Sequence, residues 1–99
     1  MFDKMKALMD MKKKMGELKL ELENTTFELE SHDKVIKIVM NGSQEIKEVK
    51  LQGDVTALKA SSLETAIKDT FNRALKRSQI IAADKMKSIT GLNLPGMFS

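Results

Sequence analysis

Ninety-nine residues with 17 basic and 14 acidic side chains, eight Met, four Phe and no Cys, Trp or Tyr describe one small domain. Disulfides are excluded, so packing alone must hold it, and a chain this short has a thin stability margin that pairing with a second copy would widen. The lack of Cys fits a reducing cytoplasm. No stretch approaches the roughly 20 consecutive apolar residues of a membrane span, and Asp10, Lys12, Lys13 and Lys14 break the start of the chain too early for a signal peptide.

The net charge of +3 is unevenly spread. Residues 1–20 hold six Lys against three acids, residues 21–55 four Lys against eight, and residues 56–99 seven basic side chains against three. Basic ends around an acidic middle fit a polyanionic partner, and two solvated helix faces fit the same charges.

In chain order, residues 3–23 are predicted to form a helix. Leu8, Met11, Met15, Leu18 and Leu22 recur at spacings of three and four, the pattern of a coiled-coil seam. A seam this short does not hold a free coiled coil, so it must pack on another helix, of this chain or of a partner. Gly16 costs that helix about 1 kcal/mol relative to Ala. At Asn24 the period changes. Thr25–Glu30 alternates polar and apolar, with Phe27 and Leu29 on one face of a strand. Ser31-His32-Asp33 supplies a turn. Val35–Met40 reads as a second strand, apolar on both faces: Ile36, Ile38 and Met40 on one, Val35 and Val39 beside Lys37 on the other. Asn41-Gly42 is a hairpin signal, because both residues tolerate positive φ. A third strand spans about residues 44–52, and a bulge near Lys47-Glu48 would bring Ile46, Val49 and Leu51 to one side. After Gly53-Asp54, Ser61 and Glu64 have the spacing of a capping box, opening a helix from Ser62 to about Ile89 that Gly91 would stop. The tail, residues 91–99, is expected to be mobile.

The predicted class is α+β: helix, three-stranded antiparallel meander, long helix. As one domain over residues 1–99, it divides into helix 1–23, sheet 24–53, helix 61–90 and tail 91–99. Covering the second face of the central strand calls for a second copy, so a homodimer is expected, packed through Leu8, Met11, Met15, Leu18, Leu22, Val35 and Val39.

Catalysis needs a nucleophile with an oriented base, or a metal cluster. His32 is the single His, set in a turn between acids, with no second imidazole or thiolate to complete a metal site. No phosphate-binding glycine loop occurs. The chain is expected to be no enzyme, to need no cofactor or metal and to take no small-molecule substrate. What remains is binding. Lys68, Arg73, Lys76 and Arg77 lie in one half of the second helix surface, with Arg73 and Arg77 one turn apart. Lys12, Lys13 and Lys14 point three ways around the first helix, so at least one meets any partner alongside. From the residues alone these cations read equally as solubilising charges; no aromatic is interleaved with them, which disfavours single-strand stacking, so if nucleic acid binds, the contacts should be mostly to the phosphates of duplex DNA. An anchor lying on a membrane surface is disfavoured, because Asp3, Asp10 and Glu17 interrupt the basic face.

Met1-Phe2-Asp3-Lys4, Val35-x-Ile-x-Ile-Val-Met-Asn41-Gly42, Val49-Lys50-Leu51, Phe71-Asn72-Arg73-Ala74 and Gly91-x-x-Leu94-Pro95-Gly96-Met97-Phe98 together resemble the YbaB/EbfC nucleoid-associated protein family. The resemblance spans essentially the whole chain. It departs at Ser31-His32-Asp33-Lys34, where the family's turn is usually rich in Gly. The resemblance implies a dimer with a central body of sheets and projecting helical arms, cytoplasmic and nucleoid-associated, binding DNA. On the arms it places Lys12, Lys13, Lys14, Lys68, Arg73, Lys76 and Arg77 at the contact surface. The expected function is therefore phosphate-directed binding of duplex DNA in nucleoid organisation or gene regulation. The rival is a protein-interaction module whose Leu/Met seams receive a partner helix.

Overall fold

The computed structural model describes residues 2–90, with side chains from residue 4 to residue 89; Gly91 and the tail lie outside this range. Helix α1 (Phe2–Asn24) leads into strands β1 (Thr26–Glu30), β2 (Ile36–Asn41) and β3 (Ile46–Leu51), a single 3₁₀ turn (Val55–Ala57) and helix α2 (Ala60–Thr90). The sheet is an antiparallel meander in the order β1-β2-β3. The α+β class and element order read from the sequence are those observed.

Between β2 and β3 the pairing steps from Val39↔Glu48 to Met40↔Ile46, so Lys47 is the extra residue of a bulge. Without it, Ile46 would face away from Val49 and Leu51. With it, all three stand beside Met40, Ile38 and Ile36 on one face. That face is the core. Phe27, Ile36, Ile38, Met40 and Ala74 are buried together, with Leu29, Leu63, Ala66, Phe71, Leu75 and Ile81 packed around them. The opposite face carries Glu28, Lys37, Glu48 and Lys50 around Val39, and Lys37 Nζ pairs with Glu28 Oε1 at 3.3 Å. The second face of β2 is thus screened by charges. Val35, at the strand's entry, packs against the core cluster.

The first hairpin turns at Ser31-His32-Asp33, as read from the sequence, and the second differs from the expected two-residue turn. In the first, Lys34 takes the left-handed φ of 62° that a glycine would ordinarily supply. Ser31 Oγ compensates: it accepts the N–H groups of Val35 and Ile36, both at 3.0 Å, and donates to Asp33 Oδ1 at 2.5 Å. In the second, the left-handed residue is Gln44 (φ 63°), and the loop is Gly42-Ser43-Gln44, closed by Gln44 N–H to Asn41 O and Asn41 N–H to Glu45 O. This three-residue form is a type I turn followed by a left-handed residue. Gly42 is therefore needed for space. A Cβ there would stand 2.9 Å from Leu22 Cδ2 and 3.2 Å from Ile81 Cγ2.

The α2 start also differs from the capping box. Leu63 N–H already bonds Lys59 O, so the helix begins at Ala60 and places Ser61 inside its first turn. There the Ser61 carbonyl accepts the hydroxyl of Thr65. The connection before it is ordered by Asp54, whose carboxylate accepts the Thr56 N–H at 3.1 Å and caps the 3₁₀ turn.

One buried polar junction joins α1, the second hairpin and α2. Asn41 and Ser78 are fully buried. Ser78 Oγ donates to Asn41 O (2.9 Å) and accepts Gln44 N–H (3.1 Å). Asn41 Nδ2 donates to Glu23 O, and Gly42 N–H to Leu22 O, so the last turn of α1 is stitched to the hairpin. Beyond this junction the molecule is long. Its extents are 67 × 24 × 16 Å and its radius of gyration is 18.2 Å, against about 13 Å for a compact domain of this size. Ser78→Ala removes two hydrogen bonds, leaving Asn41 O and Gln44 N–H only their 3.2 Å bond to each other, and should cost about 1–2 kcal/mol. Gln79→Ala, a change at the exposed next residue, should stay within about 0.5 kcal/mol. Urea unfolding of the two variants checks this contrast.

Candidate nucleic-acid interface

The cationic side chains ride on the two helices, and their placement follows from how each helix is held. On α1, Leu18 is the outermost buried residue, 4% exposed, and Leu22 packs near the junction. From Lys4 to Glu17 every residue is exposed, so this part of the helix is an arm standing clear of its own domain. The inner part is tied to α2 by Lys85 Nζ to Glu21 Oε2 at 3.2 Å. Lys12, Lys13 and Lys14 all lie on the exposed arm, and among the described residues none of the three is in an ion pair. Helical phase repeats nearly every seven residues, so Lys6 shares a face with Lys13, and Lys19 with Lys12. Lys14 precedes Leu18 by one turn and so leans toward the α2 side. Sequence reading passed over Lys6 and Lys19; the seven-residue repeat of lysine was the signal for them.

On α2 the four cations divide. Ala66, Thr70, Ala74 and Ser78 form the ridge that faces the sheet, with Thr70, Ala74 and Ser78 fully buried. The flank carrying Asp69, Arg73 and Arg77 leans over β1. Arg73 Nε donates to Asp69 Oδ2 (3.1 Å), its Nη2 donates to the Glu30 carbonyl (3.1 Å), and Arg77 sits over the Phe27 ring at 5.5 Å. These two guanidinium groups lock α2 onto the sheet edge, and any phosphate contact by Arg73 competes with two bonds inside the protein. Lys68, Asn72 and Lys76 make the outward ridge and are exposed. The structure therefore does not gather the candidate cations into one patch within the chain. Lys68 and Lys76 stand above the sheet, while Lys12–Lys14 stand beyond it on the arm.

The expected helix-packing residues also separate. Leu18 and Leu22 are used inside the chain, whereas Leu8 (71%), Met11 (50%) and Met15 (45%) remain open to solvent. His32 is a surface turn residue, 83% exposed at its side chain, 3.7 Å from Asp69 Oδ2. Among the described residues no group of three or more His, Cys, Asp or Glu is placed to hold a metal ion. No helix of the described residues is long and apolar enough to cross a membrane.

An α+β domain of this order, with a helical arm extended past a three-stranded sheet, defines a recognisable class. The solved structure of an uncharacterized protein from Helicobacter pylori has the same fold, with a TM-score of 0.55 over 86% of this chain and 87% of that one at 15% identity. The YbaB/EbfC DNA-binding family model matches residues 1–93. A nucleoid-associated protein of Dictyoglomus thermophilum is 38% identical over 98% of this chain and 96% of its own length. Another, from Clostridium kluyveri, is 34% identical over 95% and 84%. The chain belongs to the YbaB/EbfC DNA-binding family.

The first turn, beside the α2 flank that bears Asp69, gives an electrostatic prediction. The hydrogen bond from Ser31, and then that from the Val35 N–H, hold the Asp33 carboxyl below its ordinary value. A carboxyl depressed in the folded state contributes stability above its unfolded pKa and loses it as pH falls through the folded one. Acidification should therefore lower the urea midpoint of the native protein more steeply than that of Asp33→Asn, and the two curves should converge at the acid end.

Proposed function

We propose that the protein binds duplex DNA as a homodimer, through phosphate contacts from its helices, as a nucleoid-associated factor in chromosome organisation or gene regulation. The observation that carries this reading is the α1 arm: a helix standing clear of its domain with Lys6, Lys12, Lys13 and Lys14 exposed, and Lys19 exposed just past it. The family match and the names of its relatives support DNA as the partner. Lys68 and Lys76 extend the cationic track along α2, with Arg77 and Arg73 as secondary contacts because both are already engaged by the fold.

The mechanism is charge neutralisation. A duplex presents one negative charge per about 1.7 Å of axis, and each phosphate met by a lysine releases condensed counterion. Lysines on several faces of a rod suit an irregular track of phosphates better than a fixed array of base edges, so sequence preference should be weak. Two copies double the number of contacts on one duplex, and linking them raises affinity beyond that of either alone. The setting is the bacterial nucleoid, in the cytoplasm.

A second reading has its own observation. Leu8, Met11 and Met15 leave an apolar seam on the same arm, and Met-rich seams accept partner helices. Nuclease-resistant capture of another protein by the arm, with no shift of duplex DNA, would select that reading.

With about six phosphates met per dimer, affinity should fall by roughly 10³-fold between about 50 and 200 mM salt, and a flat response would refute the mechanism. Replacing Lys12, Lys13 and Lys14 together by Glu should weaken binding equally for unrelated duplexes, lower the salt slope and leave the unfolding midpoint nearly unchanged. Arg73→Ala should lower the unfolding midpoint, since it removes the bond to the Glu30 carbonyl. Fluorescence anisotropy over a salt series, beside urea unfolding, separates the two roles.

A further inference from the structure

Two features of α1 remain outside both the fold and the coiled-coil seam. Met5, Met9 and Leu20 are 69%, 70% and 60% exposed, and none of them belongs to the seam of Leu8, Met11, Met15, Leu18 and Leu22. Gly16 weakens the helix, yet a Cβ there would meet nothing within 4 Å. Within the chain, space is no reason for a glycine at that position.

Helical phase joins these residues. At about 100° per residue, Met5, Gly16, Met9 and Leu20 fall in that order within an arc of about 60°. Lys12 and Lys19 stand about 20–40° beyond one border of this arc, and Lys13 and Lys6 stand about 20–40° beyond the other. All four lysines are exposed. The seam continues past Lys12 and Lys19, and Glu17 and Asp10 lie past Lys13 and Lys6. The arm thus carries an apolar stripe, with a glycine near its middle, between two rows of cations.

Charge chooses the occupant. The same stripe of a second copy would bring lysine rows against lysine rows, and a neutral partner helix would leave both rows unused. Cations on either side of an apolar strip match a groove walled by two strands of phosphate. The major groove of B-form DNA is about 12 Å wide and admits an α-helix, whose diameter with side chains is about 10–12 Å. The floor of that groove carries an apolar group, the C5 methyl of thymine.

We infer that α1 lies in the major groove of duplex DNA with Met5, Met9 and Leu20 toward the floor, where the two methionines meet thymine methyls; this rests on the duplex-binding reading above. Lys12 and Lys19 reach the phosphates of one strand, and Lys6 and Lys13 those of the other. Gly16 lets the helix backbone sink toward the base edges, where a longer side chain would prop it away. Methionine side chains are unbranched and adaptable, so they respond to methyl groups without fixing a sequence. The groove contact therefore adds a preference for thymine-containing duplexes to a binding that phosphates dominate.

Fluorescence anisotropy of the full chain on matched duplexes tests this placement. Replacing thymine by uracil removes only the methyl group. Burying a methyl is worth about fourfold in affinity, so a duplex with uracil throughout should bind roughly tenfold more weakly. Replacing guanine by inosine alters the minor groove alone and should have no effect. Met5→Ala combined with Met9→Ala, at exposed positions where Ala suits a helix, should bind the thymine and uracil duplexes alike, at the weaker affinity. Gly16→Leu should not lower the urea midpoint, since Leu suits a helix better than Gly, yet it should weaken duplex binding severalfold. Three results overturn the groove placement and leave phosphate-directed binding standing: equal affinity of the native chain for thymine and uracil duplexes, a uracil penalty that persists in the methionine variant, or a Gly16→Leu chain that binds as tightly as the native one. A methionine variant whose sedimentation changes while its duplex affinity does not gives the stripe to a second copy and overturns the placement too. No binding of any duplex at low salt overturns both readings.

Discussion

The buried junction of Asn41, Gly42 and Ser78 is the constraint on which the rest of the molecule depends. Three segments meet there, and none of them could be held by apolar contact alone. The end of α1 presents unsatisfied carbonyls, as every helix end does, and Asn41 Nδ2 and Gly42 N–H satisfy those of Glu23 and Leu22. The hairpin presents its own carbonyl at Asn41 and N–H at Gln44, and one hydroxyl of α2 takes both. Gly42 lets the hairpin approach so closely that no Cβ fits. Because polar groups buried at low dielectric are costly when unpaired, this arrangement is specified by direction as well as by burial. It sets where α1 leaves the domain, and so where the cationic arm points.

Helix α2 carries the second level of organisation through three parallel ridges. The middle ridge, Thr70, Ala74 and Ser78, is small and fully buried, which lets the helix axis lie close to the strands. The flank of Asp69, Arg73 and Arg77 closes over β1 with directional contacts. On the opposite flank Phe71 and Leu75 pack against the core cluster while Ile67 stays exposed. A single element thus closes one side of the sheet and leaves the other open. The asymmetry between the two edges is written into neighbouring ridges of the same helix.

The cations fall into two functional kinds for the same reason. Among the described residues, Lys12, Lys13 and Lys14 on the α1 arm are exposed and in no ion pair. Arg73 and Arg77 have partners already, a carboxylate and a carbonyl for one and an aromatic face for the other. Family membership gives DNA as the expected ligand, and the long axis of 67 Å spreads the available lysines over a length suited to a rod-shaped partner.

Much of this was legible in the residues. Period-two alternation at Thr25–Glu30 and Val35–Met40, the seam spacing of α1 and the long apolar arc of α2 determined the elements and their order, because periodicity reflects which face must leave water. The mismatch in parity among Ile46, Val49 and Leu51 was enough to locate the bulge at Lys47. Local motifs were less informative where tertiary contacts compete. Asn41-Gly42 read as a two-residue turn, but the demand for close approach by Leu22 and Ile81 moved the left-handed residue to Gln44. Ser61 and Glu64 had the spacing of a cap, but the backbone entered the helix at Ala60. The basic residues of α2 shared a helix surface in projection, and only the sheet beneath decided that Arg73 and Arg77 would be bound inward while Lys68 and Lys76 stay exposed. A sequence records which residues alternate and repeat. Which polar group meets which depends on distances between segments far apart in the chain, and those exist only once the chain has folded.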